Sequence, residues 1–165
     1  MKACVLLAGC GVFDGSEIHE SVLSFLALEE QGISYDAFSI SENQLEVIAH
    51  DKQVRSESEQ RNCLSESARL TRGDIKDVSE IHVDAFDFLL IPGGFGVAKN
   101  FCDFASKGVD LSVHPQIETV LKSFHTERKT IVSLCIAPVL LAKTFPGSRL
   151  TLGQSTEMQA VLKQL

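Results

Sequence analysis

The stretch Ala3 to Ala8 constrains the fold most, because it is a continuous apolar run that stops at Gly9-Cys10-Gly11. A run this short and uniform predicts a strand buried on both faces, the habit of parallel sheets with helices above and below. A turn over Gly9 to Gly15 follows. A helix from about Ser16 to Gln31 comes next, with Ile18, Val22, Leu23, Phe25, Leu26 and Leu28 at helical spacing and expected on its buried side. Gly32 is a natural stop, and Ile33 to Ile40 predicts a second strand. Strand, helix and strand with short links form a right-handed parallel βαβ unit.

The same alternation resumes later in the chain. Phe86 to Ile91 predicts a third buried strand, ending in Pro92-Gly93-Gly94-Phe95-Gly96. Ala98, Phe101, Phe104 and Ala105 predict a helix stopped by Gly108. Pro115 opens another, with Ile117, Val120, Leu121 and Phe124 on its buried face. Ile131 to Leu134 predicts a strand, and Pro138 to Leu141 a helix ended by Pro146-Gly147. Leu150 to Leu152 predicts a short strand, and Ser155 caps a last helix running to Leu165. Between these regular parts, residues 41–73 are polar and look like an insertion. Glu46 to His50 and Gln53 to Arg55 flank Asp51-Lys52 as a small hairpin, and a helix is expected over Glu57 to Leu70. Repeats, low-complexity tracts and linkers are absent, so the 165 residues read as one α/β domain.

Composition narrows the function classes. The net charge is −7 with no basic block, which disfavours nucleic acid and anionic membranes as partners. No apolar run approaches a transmembrane length. The cysteines at 4, 10, 63, 102 and 135 are odd in number and form no Cys-x-x-Cys pair, which argues against a disulfide framework and structural zinc. Reduced thiols and the absence of a convincing signal peptide lead to an expectation of a cytosolic protein. Gly9-x-Gly11-x-x-x-Gly15 is one residue too long for a dinucleotide fingerprint, and Asp36 lies inside the second strand rather than at its end. No cofactor and no metal are expected.

Cys135 lies where the Ile131 strand turns into the Pro138 helix. Free backbone N–H groups and the helix dipole at such a turn favour the thiolate. A free cysteine is also a small hydrophobe that often serves only to pack. Chemistry would require donors for an oxyanion, which the N–H groups of Gly94 and Ile136 can supply, and an acid nearby. Asp14 and Glu17, from the first loop, are the candidates. Asp14 to Glu17 also has capping-box spacing, which offers Glu17 a structural role instead. His19 is a further candidate that a first helical turn can equally leave in solvent.

Gly9-Cys-Gly-Val-Phe-Asp-Gly-Ser-Glu-Ile-His19, Thr71-Arg-Gly73, Pro92-Gly-Gly-Phe-Gly-Val-Ala-Lys-Asn100 and Cys135-Ile-Ala-Pro138 together resemble the ElbB family (enhancing lycopene biosynthesis protein) of the PfpI/ThiJ superfamily. The resemblance runs from Lys2 to about the last helix. It implies a flavodoxin-like three-layer sandwich, like that of class I glutamine amidotransferases. It implies a nucleophile elbow at Cys135, Glu17 as the acid facing the sulfur, and donors at Gly94 and Ile136, with Asp14, His19 and Asn100 as accessory candidates. It further implies a homodimer acting as a cofactor-independent glyoxalase on small dicarbonyls such as glyoxal and methylglyoxal. Cys135 would add to the aldehyde, Glu17 would shuttle a proton through an enediol, and a hydroxy acid would leave. The alternative is a redox or stress-responsive binding protein whose Cys135 oxidises without turnover. Two departures from the superfamily stand out. Ile136 occupies the position where its peptidases carry His, and no His follows Cys135, which disfavours protease and amidotransferase readings. Family chains are also expected to continue for about fifty residues beyond Leu165, within ordinary domain sizes.

Overall fold

The computed structural model describes residues 1–151 and 153–165, leaving aside the side chain of Glu157. Its strands are β1 (Lys2–Leu6), β2 (Ser34–Ser39), β3 (Ile48–Ala49), β4 (Val54–Arg55), β5 (Lys76–Asp77), β6 (Phe88–Ile91) and β7 (Thr130–Ser133). All but β3 and β4 join one parallel sheet in the order β5-β2-β1-β6-β7. Its helices are α1 (Ile18–Glu30), α2 (Cys63–Ser67), α3 (Phe104–Lys107), α4 (Pro115–Thr126), α5 (Pro138–Thr144) and α6 (Thr156–Leu162).

The continuous apolar run of β1 feeds two cores because successive side chains point to opposite faces. Cys4, Leu6 and Ala8 enter one cluster, and Ala3, Val5 and Leu7 enter the other. β6 divides likewise, with Leu89 and Ile91 on the first face and Leu90 on the second. The first face is covered by α4, through Ile117, Val120, Leu121 and Phe124, and by α5, through Val139, Leu140 and Leu141. Phe25 and Leu28 of α1 cover the second. Burying a side chain such as the fully buried Phe124 contributes about 1.5–3 kcal/mol against leaving it in water.

Three expectations need correction, and one strand has no signal in the sequence. On α1 the buried residues are Ser21, Phe25 and Leu28, whereas Ile18, Val22, Leu23 and Leu26 are 43–60% exposed. The helix is apolar on two sides, so spacing alone could not pick the inner one. The expected 57–70 helix shrinks to α2 because the backbone before it is already engaged: Ser56 N–H donates to Val47 O and Gln44 N–H to Arg61 O. The helix expected around Phe101 is a π-helical turn over Val97–Phe101, separated from α3 by an extended Cys102. β5 is a two-residue charged edge strand with no apolar run to announce it. The hairpin expected within 46–55 is present as antiparallel β3 and β4. The strand expected over Leu150–Leu152 reaches a residue outside the description, and Leu150 and Thr151 carry no strand.

β1 connects to β2 on one side of the sheet, while β6 and β7 lie on the other. This reversal brings the loops after β1, β6 and β7 to one carboxyl edge, where open α/β sheets hold ligands.

Candidate active site

β7 delivers its chain to that edge through Leu134, whose N–H donates to Ile91 O at 3.0 Å. The turn then tightens, with Ala137 N–H donating to Leu134 O at 2.8 Å. Cys135 sits in this turn with φ of 52°, a left-handed conformation that costs a non-glycine residue about 1–3 kcal/mol. The strained turn lifts the thiol out of the core: Cys135 is exposed, whereas Cys4, Cys63 and Cys102 are buried and Cys10 is half-buried. Burial pushes the Cys63 and Cys102 thiols up to about 12 and about 11. Burial also raises Cys10, helped by the charge of Glu66.

The loop after β6 packs against Cys135 so closely that residue 93 must be glycine. A Cβ built on Gly93 would overlap the Cys135 Cβ and lie 2.8 Å from Glu20 Oε2. Gly94 adopts φ of 97°, and a Cβ there would overlap Gly15 O. The N–H groups of Gly94, Cys135 and Ile136 donate to no protein acceptor among the described residues, so they remain available to an oxyanion.

The first turn of α1 holds Gly93 from both sides. Glu17 N–H donates to Gly93 O at 2.9 Å, and Glu20 Oε2 accepts from Gly93 N–H at 2.7 Å. The carboxylate set beside Cys135 is therefore that of Glu20, a residue the sequence reading did not single out. Glu17 has a different position. It is the N-cap of α1, with one oxygen on Glu20 N–H at 2.7 Å and the other on His19 Nδ1 at 2.9 Å. Burial alone would raise the Glu17 carboxyl, but the hydrogen bonds from His19 and Glu20 N–H outweigh it and hold the group below its ordinary value. His19 itself is 87% exposed at its side chain.

Asp14 and Asn100 are framework groups. Asp14 is buried, and its Oδ2 accepts from Ile48 N–H at 2.7 Å, which ties the first loop to the β3–β4 hairpin. Asn100 donates to Ala8 O and Asp14 O at 2.9 and 3.0 Å and accepts from Leu45 N–H at 3.0 Å. These bonds engage both groups in holding the first loop against the segments around Leu45 and Ile48.

A cavity of about 440 Å³ opens beside the thiol. Val12, Phe95, Phe104, Ile136, Pro138, Met158 and Leu162 form its apolar wall, with Gly94, Gly153 and Ser155 at the remaining positions. Val12 is held in place by Phe95 N–H, which donates to Val12 O at 2.8 Å. Among the described residues, no group of three or more His, Cys, Asp or Glu side chains could hold a metal ion, and no helix is long and apolar enough to cross a membrane.

This chain is 43% identical over 156 residues to the human glutamine amidotransferase-like class 1 domain-containing protein 3, mitochondrial. It is 42% identical over 156 residues to the rat ES1 protein homolog, mitochondrial. Each match takes in 94% of this chain but only 58% and 59% of the relative, so the chain spans about three fifths of these proteins. The mitochondrial names overturn the cytosolic expectation and point to the mitochondrion. Free thiols separate a reducing compartment from an oxidising one and do not distinguish one reducing compartment from another. Among solved structures, an isoprenoid biosynthesis protein with an amidotransferase-like domain from Ehrlichia chaffeensis superposes with a TM-score of 0.83 at 38% identity, covering 87% of this chain and 65% of that one. The family model for DJ-1/PfpI matches residues 1–163, and the chain belongs to the DJ-1/PfpI family.

Proposed function

We propose that the protein is a cofactor-independent glyoxalase of the ElbB type, converting glyoxal or methylglyoxal to the corresponding hydroxy acid. One observation carries this reading: the single exposed thiol lies in a strained turn beside unengaged N–H donors, with the Glu20 carboxylate across Gly93. Sulfur of Cys135 bonds to the aldehyde carbon, and the carbonyl electron pair moves to oxygen, where the Gly94 and Ile136 N–H groups stabilise it. The resulting hemithioacetal loses the proton on its carbon and gains one on the neighbouring carbon through an enediol. Glu20 is the shuttle. The product is a thioester, which water hydrolyses to release the hydroxy acid and restore the thiol.

The test is conversion of methylglyoxal to lactate. Cys135→Ser should abolish turnover, and Glu20→Gln should lower it by about 10²–10⁴-fold, the range for loss of a general acid–base. Full turnover by Cys135→Ser would refute the mechanism. Oxidation of Cys135 by peroxide with no turnover by the native protein would favour the alternative, a redox-responsive binding protein.

The reading includes a homodimer. The exposed stripe Ile18, Val22, Leu23 and Leu26 along α1 supports it, since contiguous apolar surface of this kind marks association sites.

A further inference from the structure

We propose that the Cys135 cavity selects uncharged electrophiles bearing an apolar substituent about the size of a phenyl ring. For the glyoxalase reading on which this rests, the preferred substrates are aryl- or alkyl-substituted 2-oxoaldehydes rather than glyoxal itself. Three observations lead there. The cavity, at about 440 Å³, falls in the range that holds drug-sized ligands, whereas glyoxal and methylglyoxal have only a few heavy atoms. Cys135 with the Gly94 and Ile136 N–H groups receives the carbonyl, and its substituent meets the rest of the lining, where Ser155, its hydroxyl already accepting from Met158 N–H, is the one polar side chain among the described residues. The wall it meets is made of Val12, Phe95, Phe104, Met158 and Leu162, and none of the described lining residues carries a charge. A carboxylate or phosphate on the substituent would lose its water without gaining a cation, and the Glu20 carboxylate nearby would repel it.

The wall comes from three parts of the chain: Val12 from the first loop, Phe95 and Phe104 from the segment after β6, and Met158 and Leu162 from α6. Discrimination against small substrates therefore rests on α6 as much as on the motifs around the thiol. An apolar substituent gains by leaving water, and each added carbon in a fitting pocket is worth about tenfold or more.

Alkylation of Cys135 measures this selectivity without requiring turnover. Rates with iodoacetamide, N-benzyliodoacetamide and iodoacetate are read by mass spectrometry of the Cys135 peptide. Each is divided by the rate of the same reagent with free cysteine. The benzyl reagent is expected to react at least about tenfold faster than iodoacetamide and to saturate, and iodoacetate to react more slowly than either. Met158→Asn and Phe104→Ala, from two different helices of the wall, should each lower the benzyl preference toward unity. Equal normalised rates for the benzyl and unsubstituted reagents in the native protein would overturn the proposal, whatever the variants do. Turnover of phenylglyoxal against methylglyoxal separates the two ideas. A benzyl preference with neither aldehyde turned over upholds the cavity's selectivity and sinks the glyoxalase. Turnover of methylglyoxal with no benzyl preference upholds the glyoxalase and sinks the selectivity.

Discussion

Glu17 and Glu20 stand one helical turn apart and divide two jobs that a sequence motif would assign to one of them. Glu17 caps α1 with one oxygen on Glu20 N–H, and Glu20 turns its own carboxylate to Gly93 N–H beside the thiol. The division makes a sharp prediction. Glu17→Ala should cost about 1 kcal/mol of stability, as loss of an N-cap does, and leave turnover within a few-fold. Glu20→Gln keeps the side chain's length and should leave stability nearly unchanged while turnover falls. Urea denaturation and lactate formation on both variants check this, and the reverse pattern would return the chemistry to Glu17. Cys135 was legible from its neighbours, because a short apolar strand followed by Pro138 fixes a strand-to-helix turn whatever the rest of the chain does. Glu20 was not. Spacing offered Asp14 as the cap, one turn too early, with Glu17 as its box partner, and the resemblance set Glu17 against the sulfur; in the true register Glu17 is the cap and Glu20 is the acid across Gly93. Asp14 is drawn elsewhere, to Ile48 N–H of the hairpin, a partner 34 residues away that local spacing cannot reveal.

At the level of elements, what was legible follows the apolar content of each. β1, β6 and α4 carry enough buried side chains to announce themselves, and β7 is marked by the half-buried pair Ile131 and Val132. β5, with Lys76 and Asp77, is held by backbone pairing to β2 and has no such signature. α1 is the instructive case, since its inner and outer sides are both apolar. Phe25 and Leu28 join the core, and Ile18, Val22, Leu23 and Leu26 face outward. The outward stripe tests the homodimer reading. Leu23, 60% exposed, makes no core contribution whose loss would confuse the result. Leu23→Glu should leave the folded monomer intact and convert a dimer to monomer in sedimentation velocity, because a charge buried without a partner in an interface is strongly unfavourable. A native protein that sediments as a monomer at every concentration, or a Leu23→Glu dimer of unchanged affinity, would remove α1 from the interface.

Across the molecule, the three buried thiols tie stability to alkaline pH. Burial raises Cys4, with the charge of Asp36 adding to the effect. Burial likewise holds Cys63 at about 12, although hydrogen bonds with Ser39 and Ser67 pull it part of the way back. Cys102 stands at about 11 for the same reason. The folded protein therefore keeps these protons above pH 9, where thiols in the unfolded chain release theirs. Above that point the unfolded state binds fewer protons, and stability falls as pH rises. Below it the contribution is complete and flat. Each of these thiols should remove about 1 kcal/mol between pH 8 and pH 10, so the three together should remove roughly 3–4 kcal/mol of unfolding free energy over that interval. Cys102→Ala and Cys63→Ala are destabilised at both pH values by the cavities they leave, yet each should show a pH-dependent loss smaller by about 1 kcal/mol. Urea unfolding at pH 8 and pH 10 reads this difference directly. Cys135 enters only as a control, since its thiol is exposed and lies outside the buried set, and Cys135→Ser should retain the full alkaline loss. If Cys63→Ala and Cys102→Ala lost as much stability on going to pH 10 as the native protein, the burial of those thiols would not be what couples this fold to pH.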